Sequence, residues 1–428
     1  MKRLITGLLV LTVFLTILAG TVIGADEKTK LSWWGWFPTV EDAAVIKKGF
    51  EAKYPNVELT YTYAELDPYI SKLKMEIASG SGPDLMSMQK GALLNSMKPY
   101  LLDLKSKLGP WTSQIIPSAM KEVEASSGSG QILMVPLGMS AQMYVYYNAT
   151  LFEGAGVKIP KTAAQFIAAC KTLKEKYPNL APFEMGLKDQ WFAVDVFNIF
   201  ANMASPGLTE KADKGEVKWT SASFVKAMTV FKNLVAKGII PKDNVGLTEY
   251  EGAIGDLLDR KACMFANGSW NVGNLSLKYG DRRRGRATDN DLMGAFILPN
   301  FAGGKPVTIG GVDVGIAVNK GTKNQDAALK MLEYMTVGDG QQYFCGNPGA
   351  GLIPAKKGMV KDMSGYPDLI AQASIKMFAD TYANNLVASR DISSAEVRDQ
   401  LAIELQNIAN GKDVKQALAD IQKVYDRQ

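Results

Sequence analysis

Leu31-Ser32-Trp33-Trp34-Gly35-Trp36-Phe37-Pro38, followed one helix later by Val57-Glu58-Leu59-Thr60-Tyr61-Thr62-Tyr63, decides the fold class of this chain. Lys30–Trp34 reads as a first strand. Thr39 then offers a helix cap, with Asp42 three residues on in capping-box spacing. Ala43, Ile46 and Phe50 recur at helical spacing until Tyr54-Pro55 ends the run. Val57, Leu59, Tyr61 and Tyr63 alternate as a second strand. Tyr69, Leu73 and Ile77 mark a second helix, Gly80-Ser81-Gly82-Pro83 breaks it, and Leu85–Met88 is a short third strand. This βαβαβ opening predicts an α/β protein with a parallel sheet, whose ligands sit outside the carboxyl ends of the strands.

Downstream, Gln131–Gly138 and Ala141–Asn148 read as strands or extended connections. Helical patterns then dominate. Thr162 caps a helix carrying Phe166, Ala169 and Leu173, and Gln190–Ala204 is a second. Ser221 caps a third that closes at Gly238, and Tyr250–Lys261 is a fourth. Strands return at Ala262–Ala266, Leu292–Leu298 and Val312–Val318. The chain ends in helices over Ala327–Thr336, Ser393–Asn410 and Val414–Tyr425. No internal repeat is visible, and no eightfold βα pattern runs the full length.

The amino terminus reads as an export leader over residues 1–25. Lys2 and Arg3 precede an uncharged run from Leu4 to Ile23, and Gly24 and Ala25 are small residues suited to a peptidase. The run is also long enough for an uncleaved anchor, although four threonines and two glycines dilute it. No cysteine follows it to accept a lipid, since the first is Cys170. An exported, periplasmic or extracytoplasmic protein without a lipoprotein thiol is therefore expected. Losing Lys2 and Arg3 takes the formal charge from +5 to +3, so nothing calls for nucleic acid. The chain has no histidine, which removes the commonest general base and metal ligand. Its three cysteines are too few for a disulfide framework. Cys263 and Cys345 are the better pair for a single bridge, and buried free thiols are the competing reading. Asp281-Arg282-Arg283-Arg284-Gly285-Arg286 is the one strong charge run, a solvated loop or a site for an acidic ligand.

The order of segments resembles the extracellular solute-binding proteins of sugar ABC importers, the maltodextrin-binding-like family. The resemblance covers nearly the whole chain after the leader and rests on several weak motifs in order. Ile46–Val57 looks like the family's opening helix with its Tyr-Pro ending, and Ser81-Gly82-Pro83-Asp84-Leu85 like its Gly-x-Pro-Asp turn. Val135-Pro136-Leu137-Gly138 with Tyr146–Phe152 is similar to its crossover into a second lobe. Ile159-Pro160-Lys161-Thr162 resembles its Pro-x-Thr helix start, and Met264–Trp270 its Gly-x-Trp segment. Gly310-Gly311 with Gly315–Val318, and Asn410-Gly411-Lys412 with Ala417-Leu418, match late elements. The resemblance implies a two-lobed periplasmic-binding-protein fold of type II, with a ligand cleft between the lobes. It implies a first lobe of 26–137 plus 296–340 and a second of 138–295 plus 341–428. It also implies capture of a sugar and its delivery to membrane permease subunits, by a monomer, with no cofactor, metal or catalytic residue.

Sugars expose apolar C–H surfaces and rims of hydroxyls, so their sites combine aromatic platforms with paired donors and acceptors. Six residues are expected at the ligand. Trp36 ends the first strand, where the resemblance puts the cleft, although Pro38 departs from the polar residues of some members there. Trp270 matches the Gly-x-Trp platform, with core packing as its bland alternative. Trp191 follows Lys188-Asp189-Gln190 at a helix start. Gln89 follows the third strand, and Glu65 follows the second, where it could instead cap the next helix. Asp313 interrupts an otherwise apolar strand, and a buried carboxylate needs partners. Trp33 and Trp34 divide between core and opposite face by alternation, while Trp111 and Trp219 read as structural. Asp84 fits the motif but suits turn capping equally. A secreted glycoside hydrolase, or a binding protein for a phosphorylated polyol or acidic sugar, shares these residue types.

Overall fold

The computed structural model describes residues 28–275, 287–288, 290–347, 350–366 and 368–428. The leader and the basic run Asp281–Arg286 lie outside the described residues. Strands β1 (Thr29–Gly35), β2 (Val57–Tyr63) and β3 (Leu85–Met88) are parallel neighbours, with Leu31 opposite Leu59 and Trp33 opposite both Tyr61 and Leu85. The alternation sends Trp33 into the core, while Trp34 turns to the other side beneath the Lys72 ammonium, 4.5 Å from the ring centre. Thr39 caps the intervening helix Val40–Lys53 and accepts from the Asp42 amide at 3.2 Å.

The remaining strands are β4 (Val135–Gln142), β5 (Tyr144–Asn148), β6 (Met264–Asn267), β7 (Met293–Ile297), β8 (Thr308–Val318), β9 (Ile353–Pro354) and β10 (Leu386–Ser389). The larger sheet runs β2-β1-β3-β8-β4-β9, with β10 also on β8. β8 is antiparallel to both β3 and β4, so the sheet is mixed and not wholly parallel as the opening suggested. β8 enters the sheet from the smaller sheet, following β7, and starts beside the β4–β5 junction with Ile309 opposite Gln142. No βα crossover from β3 dictates its direction. The smaller sheet, β6-β5-β7, is antiparallel throughout.

Four apolar clusters of described residues accompany the two sheets, and the two largest mark the two lobes. Leu31, Trp33, Phe50, Ile316, Met331 and Tyr334 belong to one, and Phe166, Phe197, Trp219, Phe224, Leu401 and Ile421 to the other. The chain passes from the larger sheet to the smaller at Met143, between β4 and β5, and returns between β7 and β8. Phe344, Cys345 and Leu352 pack in the first core, whereas helices Ala395–Ala409 and Val414–Tyr425 pack in the second. The three cysteines are free and buried, and Cys263 and Cys345 lie in different cores, which excludes a bridge between them. Burial pushes the Cys170 and Cys263 thiols up to about 12, as expected of inert core residues. No described helix is long and apolar enough to cross a membrane.

Two helical expectations need correction, and one helix is additional to them. Tyr250–Lys261 is a π-helical turn, Glu249–Ile254, followed by a short helix Gly255–Leu258. Ser221 occupies a cap position, but its hydroxyl makes no capping bond. Helix Leu369–Asn385, capped by Asp368 at 2.7 Å from the Ala371 amide, is absent from the sequence reading. Its inward face carries Ser374 and Thr381, which accept from the Ala295 amide and pair with the Tyr144 hydroxyl. These buried polar residues dilute the hydrophobic period that would have marked the helix.

Candidate functional site

Between the two cores lies a cleft of about 810 Å³. Trp36, Glu65, Gln89, Trp191, Trp270 and Asp313 all line it, so the structure brings the six sequence-selected residues into one place.

The first wall is made from strand ends. Gly35 abuts Ser87, where a Cβ would run into the hydroxyl, and the chain then turns Trp36 out against Tyr69 with ring centres 5.4 Å apart. Ser87 accepts from the Trp33 indole at 3.1 Å and donates to the Phe37 carbonyl at 3.0 Å, which pins this turn to β3. Glu65 sits at the start of helix Leu66–Ala78 but makes no side-chain cap bond; it accepts from the Tyr63 hydroxyl at 2.6 Å. Gln89 follows β3 and donates to Asp313 at 3.3 Å. Asp84, by contrast, stays outside the cleft and ties Ser32, accepting from its amide and hydroxyl at 2.8 Å each.

The second wall is aromatic. Trp191 stands 6.0 Å from Trp270 and 5.8 Å from Tyr250, centre to centre. Each ring hangs on a short segment held by side chains. Asp189, just before helix Gln190–Ala204, makes no cap bond; its carboxylate accepts from the Glu249 amide at 2.8 Å. Glu249 is buried and accepts from the Gly186 amide at 2.7 Å and from the Asn267 side chain. Asn267 in turn accepts from the Gly268 amide at 2.6 Å, at the start of the 3₁₀ segment Ser269–Leu275 that carries Trp270. Burial pushes the Asp189 and Glu249 carboxyls above their usual range, with the Glu249 amide opposing this at Asp189 and the Gly186 amide opposing it at Glu249. The Trp270 ring leaves no room for a Cβ at Gly268, nor its backbone for one at Gly351. Trp270 is half-buried and borders both cores, so its packing and its exposure to the cleft coexist. Its indole nitrogen and the Asn271 amide nitrogen have no partner.

Arg390, directly after β10, joins the walls. It donates to Asp313 of β8 at 2.6 Å and to Asp195 of helix Gln190–Ala204 at 2.7 Å and 3.3 Å. Its guanidinium lies 5.0 Å from the centre of the Trp270 ring. Gln142 adds a bond to Asp195 at 2.7 Å. Burial would lower the Arg390 pKa, but Asp195 and Asp313 outweigh it and raise it. Burial pushes the Asp195 carboxyl up against the pull of Arg390 and Gln142. Nearby, Lys90 pairs with Asp391 at 2.6 Å and with Glu122. Arg390, Tyr250 and Asn271 escaped the sequence reading. Arg390 lies between two helices with no motif around it, and Tyr250 was absorbed into a helical pattern.

Trp33 and Trp219 are fully buried, and Trp34 and Trp111 pack beside the cores away from the cleft. Among the described residues no group of Cys, Asp and Glu side chains is placed to hold a metal ion.

Two α/β lobes with aromatic and polar groups converging on the cleft between them define a solute-binding protein. The chain belongs to the bacterial extracellular solute-binding protein family, which matches residues 39–342. The multiple sugar-binding protein of Streptococcus mutans is 24% identical over 331 residues, 74% of this chain and 72% of that protein. An uncharacterized ABC transporter extracellular-binding protein of Pyrococcus horikoshii is 24% identical over 458 residues, 98% of this chain and 95% of that one. A structure from work on xylan utilization by Caldanaerobius polysaccharolyticus superposes with a TM-score of 0.78 at 24% identity, covering 92% of this chain and 99% of that one. A chitin oligosaccharide binding protein gives 0.78 at 22% identity, with 94% and 99% covered. These likenesses show the two-lobed fold.

Proposed function

We propose that this protein captures a carbohydrate, a di- or oligosaccharide, by closing its two lobes around it, and delivers it to the permease of an ABC importer. The observation that carries this reading is the pairing of walls across one cleft. Trp36 stands on one side and the Trp191–Tyr250–Trp270 group on the other, with Gln89, Asp313 and Arg390 between them. Flat rings suit the C–H surfaces of a sugar, and the polar groups suit its hydroxyls. The sugar-binding relative in Streptococcus mutans supports the same class of ligand. In this reading the body containing β1–β4, β8 and β9 moves against the body containing β5–β7 and the two terminal helices. The protein acts outside the cytoplasm as a monomer, without nucleic acid or cofactor, and releases its sugar unchanged.

A thermal-shift screen over neutral saccharides, followed by calorimetric titration, tests the proposal. A cognate sugar at a hundredfold excess over its dissociation constant stabilises the fold by about 2.7 kcal/mol. Trp270→Ala costs on the order of 2 kcal/mol of binding, roughly thirtyfold in affinity, if the ring is a platform. A variant that melts far lower yet binds normally where folded would make Trp270 a packing residue. Multiple turnovers of a glycoside would replace binding by hydrolysis.

A further inference from the structure

The charges lining the cleft are lopsided. Five carboxylates, of Glu41, Asp42, Glu65, Glu251 and Asp313, face the single guanidinium of Arg390 among the described residues. We propose that the cleft selects saccharides that are uncharged or carry an amine, and turns away those bearing a carboxylate or phosphate. This rests on the sugar-binding reading and narrows its ligand class.

Three features combine. First, the one cation among the described lining residues is already engaged. Arg390 spends three donors on Asp313 and Asp195, and its side chain is 9% exposed. An anionic ligand would find only the two remaining N–H groups, beside two carboxylates that already outnumber the cation and oppose a further negative charge. Second, the helix starts bordering the cleft, which could otherwise attract an anion, carry acids, with Glu65 before helix Leu66–Ala78 and Asp189 before helix Gln190–Ala204. Glu41 and Asp42 fill the first turn of helix Val40–Lys53. Third, the lining side chains whose buried polar atoms lack a partner carry donors there. The Asn271 side chain is 7% exposed with its amide nitrogen unpartnered, and the Trp270 indole nitrogen is unpartnered too. Hydroxyl, ring or carbonyl oxygens of a neutral sugar satisfy such donors without bringing charge. The carboxylates at the rim then serve as acceptors for hydroxyls, and attract an ammonium.

The test uses the full-length exported protein and one neutral saccharide that binds it, compared with derivatives of that same sugar. One derivative carries a 6-amino group and the other is oxidised to the 6-uronate. Calorimetric titration at low salt should place the amine at or above the neutral parent, and the uronate below it by about tenfold or more. The spread should shrink at high salt, as cleft electrostatics require. Replacing two rim acids together, Glu41→Gln with Glu251→Gln, should narrow the gap between amine and uronate. A uronate that binds as tightly as the neutral parent at low salt overturns this inference while leaving sugar binding intact. A protein that binds no saccharide at all overturns the sugar reading, and the charge rule with it.

Discussion

The two walls of the cleft are held in different ways. The first wall, with Trp36, Glu65, Gln89 and Asp313, is an extension of the sheet. Three of these residues follow the ends of parallel strands, and the fourth lies within β8, so strand register places them all. The second wall is built from a helix start, a π-helical turn and a 3₁₀ segment, none of which shares a ladder. Side chains do the joining there: Asp189 holds Glu249, and Glu249 holds Gly186 and Asn267. A backbone ladder distributes its load over many bonds, whereas a buried carboxylate concentrates it on one residue. The second wall should therefore fail at single substitutions where the first tolerates them.

The largest effect is expected where the walls meet. Arg390→Ala leaves Asp195 and Asp313 buried without their cation and should cost about 3 to 5 kcal/mol of stability. Urea unfolding at neutral pH measures it, and adding Asp195→Asn with Asp313→Asn should recover most of the loss. A cost below about 1 kcal/mol would mean the walls do not depend on this joint.

Next comes the contrast between the walls themselves. Glu249→Ala strands two donors and should cost about 2 to 3 kcal/mol, with a tryptophan emission shift as the Trp270 segment loosens. Ser87→Ala is its counterpart in the first wall, removing a hydroxyl that bridges Trp33 and Phe37. About 1 kcal/mol is expected there, with emission little changed. Equal losses would erase the distinction.

A further effect, smaller than that of Arg390→Ala, concerns pH. Burial pushes the Glu184 carboxyl up to about 7, with Asp256 adding to this and Lys261 opposing it. Glu184 sits beneath the second wall, where its carbonyl accepts from the Ala266 amide of β6. The folded chain holds a proton that the unfolded chain has released, so stability falls as pH rises from about 4.5 to 7. Glu184→Gln should flatten that fall by about 2 kcal/mol between pH 5 and 8. Asp189 and Glu249, raised in the same direction, leave a residual slope in the variant. An unchanged profile would show that solvent reaches the carboxyl in the folded state.

Local pattern carried the first wall and part of the second. Strands β2 and β3 and helix Gln190–Ala204 have the bounds their periodicity indicates, because each is set by neighbours in sequence. Trp36, Gln89 and Glu65 were legible because residues after parallel strands must emerge at the cleft. Trp270 was legible only through the family resemblance of its Gly-x-Trp segment, and Asp313 from its charge inside an apolar strand. The π-helical turn at Tyr250 and the helix Leu369–Asn385 were not, since their polar residues find partners far away in the chain.

What the sequence by itself determined is the α/β opening, the binding-protein order of elements and six of the residues around the cleft. The tertiary structure alone decided the direction of β8, the separation of Cys263 from Cys345, and the position of Arg390 between Asp313 and Asp195. The reason is range. Periodicity, caps and turn residues act over a few positions, but the Arg390 contacts span 77 and 195 positions. They form only once both lobes have folded and the chain has returned through β10 to bring the guanidinium to its two carboxylates.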